Sequence, residues 1–199
     1  MTIQQILEEL CIEKYIIHED ESVTVCKSVK ISNRGLIKIP IRFREILGHF
    51  YCDENQLVSL EGAPQIVKGN FYCSNNCLTS LVGAPQEVRY HFDCSNNYLT
   101  SLVGAPQVGR HFDCSNNYLT SLVGAPQEIK GNFNCSHNQL ISLEGVPQII
   151  KGNFHCSYNK LINLNGLPLI GMYFTCDEYL YEDINYQRYK LKKQIKYII

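Results

Sequence analysis

Tryptophan is absent from the 199 residues, and methionine occurs only twice. The 18 basic and 19 acidic residues leave a net charge of −1, so no field of one sign recruits nucleic acid, and none is expected as a partner. No stretch approaches the roughly 20 apolar residues that span a bilayer. The opening Met1-Thr-Ile-Gln-Gln-Ile-Leu-Glu-Glu-Leu carries acids and no apolar centre of a signal peptide. These absences imply an intracellular, cytoplasmic protein without a membrane partner. Catalytic signatures are missing too: no phosphate-cradling glycine loop, no H-E-x-x-H helix, nothing suggesting a Ser-His-Asp triad. No enzyme and no cofactor is expected.

What is present is a repeat. Phe50, Phe71, Phe92, Phe112, Phe133, Phe154 and Phe174 recur every 20 or 21 residues. Most head the same phrase, Phe-x-Cys-Ser-x-Asn-x-Leu-x-x-Leu-x-Gly-x-Pro. A fixed period of that length marks a solenoid, whose units are too small to hold a core alone and must stack. Phe71 and Cys73 alternate with Asn70, Tyr72 and Ser74, the period-two pattern of a half-buried strand with Phe and Cys inward. Gly83 and Pro85 bend the chain back, and Val88 packs the return. With Gly and Pro in every full repeat, the return stroke is expected to be extended or 3₁₀-like.

Two columns of the repeat have an internal duty. Asn55, Asn76, Asn97, Asn117, Asn138 and Asn159 fall in the turn, where an amide can satisfy backbone groups of its own coil and the next. Cys52, Cys73, Cys94, Cys114, Cys135, Cys156 and Cys176 form one column. Strands stack about 4.8 Å apart, beyond the Cβ spacing a disulfide wants. The ten cysteines include no C-x-x-C pair that would suit zinc. They read as small buried hydrophobes in a reducing setting.

Phe, Cys, Asn, Leu and Leu at these offsets resemble the leucine-rich-repeat signature L-x-L-x-x-N-x-L-x-x-L, with Phe and Cys in place of the strand leucines. The short period is similar to that of the shortest leucine-rich repeats, those of bacterial effector proteins. The repeat phrase, together with Lys14-Tyr-Ile-Ile, Glu19-Asp-Glu, Val23 to Val29 and Leu36-Ile-Lys-Ile-Pro40, most closely resembles repeat proteins of phages and large DNA viruses. That resemblance implies a mainly-β solenoid with a parallel sheet, and it implies little about function, because such repeats serve many partners.

Three regions are expected in one continuous domain. Residues 1–28 form an N-terminal cap, with a Thr2/Gln5 capping box and an apolar stripe of Ile3, Ile6, Leu7, Leu10 and Cys11. Residues 29–181 form about seven to eight coils, the first degenerate with Arg34 at the Asn position. Residues 182–199 form a capping helix with Ile184, Leu191, Ile195 and Ile198 on one stripe and Lys190, Lys192, Lys193 and Lys196 opposite. Arg188 borders that stripe, placed to lay its stem along the last coil.

The outward strand side chains would make one continuous face, rich in Tyr, His, Asn and Asp where plain solvation favours Lys and Glu. The expected partner-binding residues are Tyr51, Tyr72, His91, Asp93, His111, Asp113, Asn134 and His155. In the centre, His91, Asp93, His111 and Asp113 would form a quadrilateral of about 5 by 7 Å. That group suits a divalent metal or, as favoured here, His–Asp hydrogen bonds that raise the imidazole pKa. Such outward residues are expected to carry little packing duty. A basic row, Lys68, Arg89, Arg110, Lys130 and Lys151, runs along one flank. The chain is thus expected to be a scaffold binding a protein partner through its sheet face, or alternatively an assembly component that self-associates through coil ends or flanks.

Overall fold

The computed structural model describes residues 1–196. The chain opens with helix α1 (Ile3–Glu9), β1 (Tyr15–Ile17), β2 (Val23–Val25), β3 (Val29–Lys30), β4 (Phe43–Ile46), β5 (Phe50–Tyr51), β6 (Ile66–Val67), β7 (Phe71–Tyr72) and β8 (Glu87–Val88). It continues with β9 (Phe92–Asp93), β10 (Gln107–Val108), β11 (Phe112–Asp113), β12 (Glu128–Ile129), β13 (Phe133–Asn134), β14 (Ile149–Ile150), β15 (Phe154–His155), β16 (Leu169–Ile170) and β17 (Phe174–Thr175). A 3₁₀ turn (Glu178–Leu180) and helix α2 (Ile184–Lys196) close it.

The seven Phe strands, β5 and every second strand after it to β17, form one parallel eight-stranded sheet in strict register with β3, where Val29 takes the Phe position. The return stroke is extended. Its two-residue strands form parallel sheets of their own, β2-β4-β6-β8-β10 with β1 antiparallel on the edge, and β12-β14-β16. The return ladder divides after β10, which belongs to a coil one residue short between Pro106 and Val108. The result is a mainly-β parallel solenoid.

The core lies between the eight-stranded sheet and the two return sheets. The repeat Phe rings meet at 5.2–5.8 Å from coil to coil, stacked except for the tilted Phe92–Phe112 and the edge-to-face Phe112–Phe133 pairs, and all are nearly or fully buried. Leu78, Leu81 and Val88 and their equivalents fill the remainder. Gly83 sits at φ +86°, and a Cβ there would lie 2.8 Å from the Leu60 backbone, so the turn admits no other residue without a shift. The cysteine column is buried with free thiols, and each Sγ from Cys52 to Cys135 donates to a carbonyl of the next Phe strand, as Cys52 does to Tyr72 O at 3.3 Å. Burial pushes their thiol pKa values up.

The Asn ladder is internal, but it reaches backward. Asn97 Oδ1 accepts from Leu78 N of the preceding coil at 3.0 Å, and its Nδ2 donates to Cys73 O of that coil and to Cys94 O and Ser95 O of its own. The amide fills the space under its own turn, where the preceding coil's polar backbone groups point. Ser74 corrects the alternation rule: it is buried, not outward, because the strand ends after two residues and the chain dives into the turn.

At the N-terminus the Thr2/Gln5 capping box forms, and Leu7 is fully buried. At the C-terminus Tyr186 and Tyr189 pack their rings 6.1 and 5.5 Å from Phe174. The side chains of Ile184, Leu191, Ile195, Lys193 and Lys196, and residue Ile198, lie outside what the structure describes. Tyr179, at the last ladder position, replaces the amide by donating its hydroxyl to Leu161 O at 3.0 Å.

Candidate functional site

The in-register Phe strands bring six of the eight expected residues into a single column. Tyr51, Tyr72, Asp93, Asp113, Asn134 and His155 are neighbours in that order, followed by Thr175. His91 and His111 stand in the column just before the Phe. All eight are half-buried. Tyr51 and Tyr72 stack at 5.2 Å with planes 13° apart, and the Tyr72 hydroxyl accepts from Asn70 Nδ2 at 2.9 Å.

The central quartet differs from the expected pairing. Each aspartate turns along its own strand to the serine two residues on: Asp93 Oδ1 accepts from Ser95 N and Ser95 Oγ, and Asp113 Oδ1 from Ser115 N and Ser115 Oγ, at 2.6–3.0 Å. Asp113 Oδ2 accepts from Asn134 Nδ2 at 3.0 Å. The imidazoles meet each other edge to face, with ring centres 4.3 Å apart. A buried serine one turn away is a shorter reach for the carboxylate than the histidine across the Phe.

The expected rise in imidazole pKa is therefore reversed. Burial lowers His91, with neighbouring His111 and Arg110 adding to it, and burial then Arg110 lower His111. Asp93 moves up, through burial first and the like charge of Asp113 next, against the Ser95 hydrogen bonds.

The column before the Phe also has a structural duty that the sequence reading did not foresee. Ser28 Oγ accepts from His49 N, His49 Nδ1 from Asn70 N, and Asn70 Oδ1 from His91 N. Past the centre, His111 Nδ1 accepts from Asn132 N at 2.7 Å, Asn132 Oδ1 from Asn153 N, and Asn153 Oδ1 from Tyr173 N. This second ladder satisfies backbone N–H groups where two-residue strands run out, and it calls for short side chains with an acceptor. Ser, Asn and neutral His qualify; Lys does not, and Glu is longer than the step.

Residues beyond the eight extend the face around the turn. Glu54, Asn75, Asn96, Asn116, His137 and Tyr158 all adopt φ of 53–58°, a left-handed turn that explains the recurrent Asn. His137 and Tyr158 stack there at 4.2 Å. Tyr98 and Tyr118, absent from the expected set, stack at 5.9 Å and are about half exposed (48% and 49%). The signal for them was Tyr in two successive coils at the Asn-x-Leu position that elsewhere holds Gln, Cys or Lys. A depression of about 370 Å³ lies between these rings, Asn96, Asn116 and His137.

The basic flank is partly neutralised. Lys151 pairs with Glu128 at 2.7 Å, which holds that carboxyl below its ordinary pKa, and Lys68 reaches Glu45 at 3.8 Å. Arg89 lies over the Tyr90 ring at 5.5 Å. No helix among the described residues is long and apolar enough to cross a membrane.

The sequence matches no protein-family model and no curated protein. Among solved structures it is similar to YopM from Yersinia enterocolitica WA-314, a leucine-rich-repeat protein, with a TM-score of 0.43 and 19% identity. The likeness covers 75% of this chain and 46% of YopM, so the chain spans less than half of that neighbour's length.

Proposed function

We propose that the chain is a non-catalytic scaffold that binds a protein partner through the outward face of its eight-stranded sheet. The observation that carries this is three stacked aromatic pairs standing outward from a core already filled: Tyr51–Tyr72, Tyr98–Tyr118 and His137–Tyr158. Stacked rings are rigid, so they offer contact area at low entropic cost, while the aspartates and Asn134 between them supply fixed acceptors and donors. Tyr51, Tyr72, Asp93, Asp113, Asn134 and His155 are the contact column. His91 and His111 stand at its rim, one holding the second ladder and the other packed against it. Residues 1–28 and 182–199 serve as end pieces of this one body. The likeness of the repeat phrase to proteins of phages and large DNA viruses supports a viral chain acting on a host protein in the host cytoplasm.

The test is affinity capture from host lysate with the wild-type chain and with Tyr51→Ala/Tyr72→Ala, each checked by thermal melt. A discrete protein held by wild type and lost by the folded double variant supports the reading. Equal capture by both overturns it.

A second reading has its own observation. Val82, Val103 and Val123 form an exposed aliphatic row on the flank of three successive coils, 46–70% exposed, and Ile37, Val58, Ile141 and Ile162 are exposed three residues earlier in the outer coils. It favours an assembly component that self-associates. Sedimentation that grows with concentration, and is abolished by Val82→Lys/Val103→Lys, would select it.

A further inference from the structure

The return sheet β12-β14-β16 stops at β16. Inside the solenoid each return strand hands its carbonyls to the next coil: Gly171 N donates to Ile150 O at 2.7 Å, and Leu169 N to Gln148 O at 3.0 Å. Ile170 is the register partner of Ile150, and no strand follows it among the described residues. Helix α2 covers the Phe side of this end; toward the return side Tyr189 Oη donates to Met172 O at 3.0 Å and Asn185 Nδ2 to Asn165 Oδ1 at 3.3 Å. Between the helix and the β16 edge lies a cleft of about 570 Å³, the size of a ligand site. Its floor is apolar, with Ile149, Leu167 and Leu169; Leu169 is 64% exposed. Its rim is cationic. Lys151 is already held by Glu128, and Arg188 and Lys192 project from the helix, both exposed.

We propose that this cleft docks an acidic, extended peptide segment of a partner protein. The segment adds a strand to the β16 edge, places alternate apolar side chains on the floor, and sets carboxylates against Arg188 and Lys192. Three features select this occupant together. A strand edge is a template that a second backbone pairs in series, the apolar floor rewards every second side chain, and the rim favours negative charge. A lipid headgroup or a nucleic acid meets only the last. This groove is at the opposite side of the coil from the proposed sheet-face site and does not depend on it.

Dye-labelled synthetic peptides alternating glutamate with leucine, titrated with the full chain, give the test by fluorescence anisotropy. The glutamate peptide binds saturably, and its lysine counterpart binds weaker by about tenfold or more. R188E/K192E reverses that preference; both residues are exposed, and a melt together with the two single variants confirms an intact fold. Methylating alternate peptide amides weakens binding by a similar factor, because ladder bonds are lost. Y72A leaves peptide binding unchanged, which separates this groove from the sheet face. Absence of saturable binding overturns the proposal, as does an affinity unmoved by charge reversal or amide methylation. So does displacement of the peptide by anionic vesicles or an oligonucleotide at lower concentration than unlabelled peptide.

Discussion

The two ends of the solenoid close in different ways. At the N-terminal end the return sheet runs on past the first full coil: β2 pairs parallel with β4, and β1 folds back on β2. Helix α1 adds Leu7, fully buried, with Leu10 and Ile12 behind it. The first coil is covered by backbone and apolar surface together, and the sheet edge passes outward to β1, with Ile16 and Ile17 exposed. At the C-terminal end the helix contributes aromatic rings to the Phe side, where Tyr186 is 8% exposed, and among the described residues no strand follows β16 in the return ladder. Apolar surface and backbone polarity are separate demands, and one helix meets the first without the second, because its own backbone is already paired internally.

The largest contrast is energetic. Leu7→Ala should cost about 2–5 kcal/mol as a buried leucine that leaves a cavity. Tyr186→Ala, at the lid, should cost about 1–3 kcal/mol. Urea melts compare them directly, and equal losses would mean that the C-terminal end is sealed as firmly as the N-terminal one.

A second comparison sets the middle of the Asn ladder against its last amide. Asn97 is buried with four backbone partners, so Asn97→Ala should cost about 1–3 kcal/mol or more by stranding them. Asn159 is only half-buried, and water can replace part of its role, so Asn159→Ala should cost less. Melts showing the reverse order would break the view that the coil stack loosens toward β17.

The smallest effect is in pH. His91 and His111 have folded pKa values below the ordinary 6.5. The unfolded chain therefore takes up protons first as pH falls. Their contribution is full above about pH 6.5, declines below it, and levels off under the lowered folded values. Asp93, with a raised folded pKa, acts oppositely in a more acidic window: its contribution declines as pH rises from about 3.8 through its folded value. His111→Asn keeps an acceptor for Asn132 N, as Asn132 and Asn153 do in their own coils. It should change stability at pH 7 by no more than about 0.5 kcal/mol and flatten the slope below pH 6.5. An unchanged slope would remove His111 from the second ladder's titration.

Much of this was legible in the residues. The Phe period placed the parallel strands, because in a stack of identical coils each residue meets its own counterpart. The Asn and Cys columns read as interior for the same reason. The candidate face was legible as a set of columns, Tyr51 through His155, but not as a set of bonds. The His–Asp pairing failed because Ser95 and Ser115 lay nearer to the carboxylates. The second acceptor ladder through His49, Asn70, His111 and Asn132 was hidden because His and Asn on an outward face look equally suited to a partner or to a backbone N–H.

The sequence by itself determined the repeat, the interior columns and the places where the coil turns, since these follow from periodicity and from the backbone demands of Gly and Pro. Only the tertiary structure decided that the return stroke builds its own sheets, that His49 and His111 accept from the coil ahead, and that β16 is the last described return strand, beside a basic helix. Each of those depends on distances between residues some 20 positions apart, and a repeat specifies that they are neighbours without specifying which of their atoms meet.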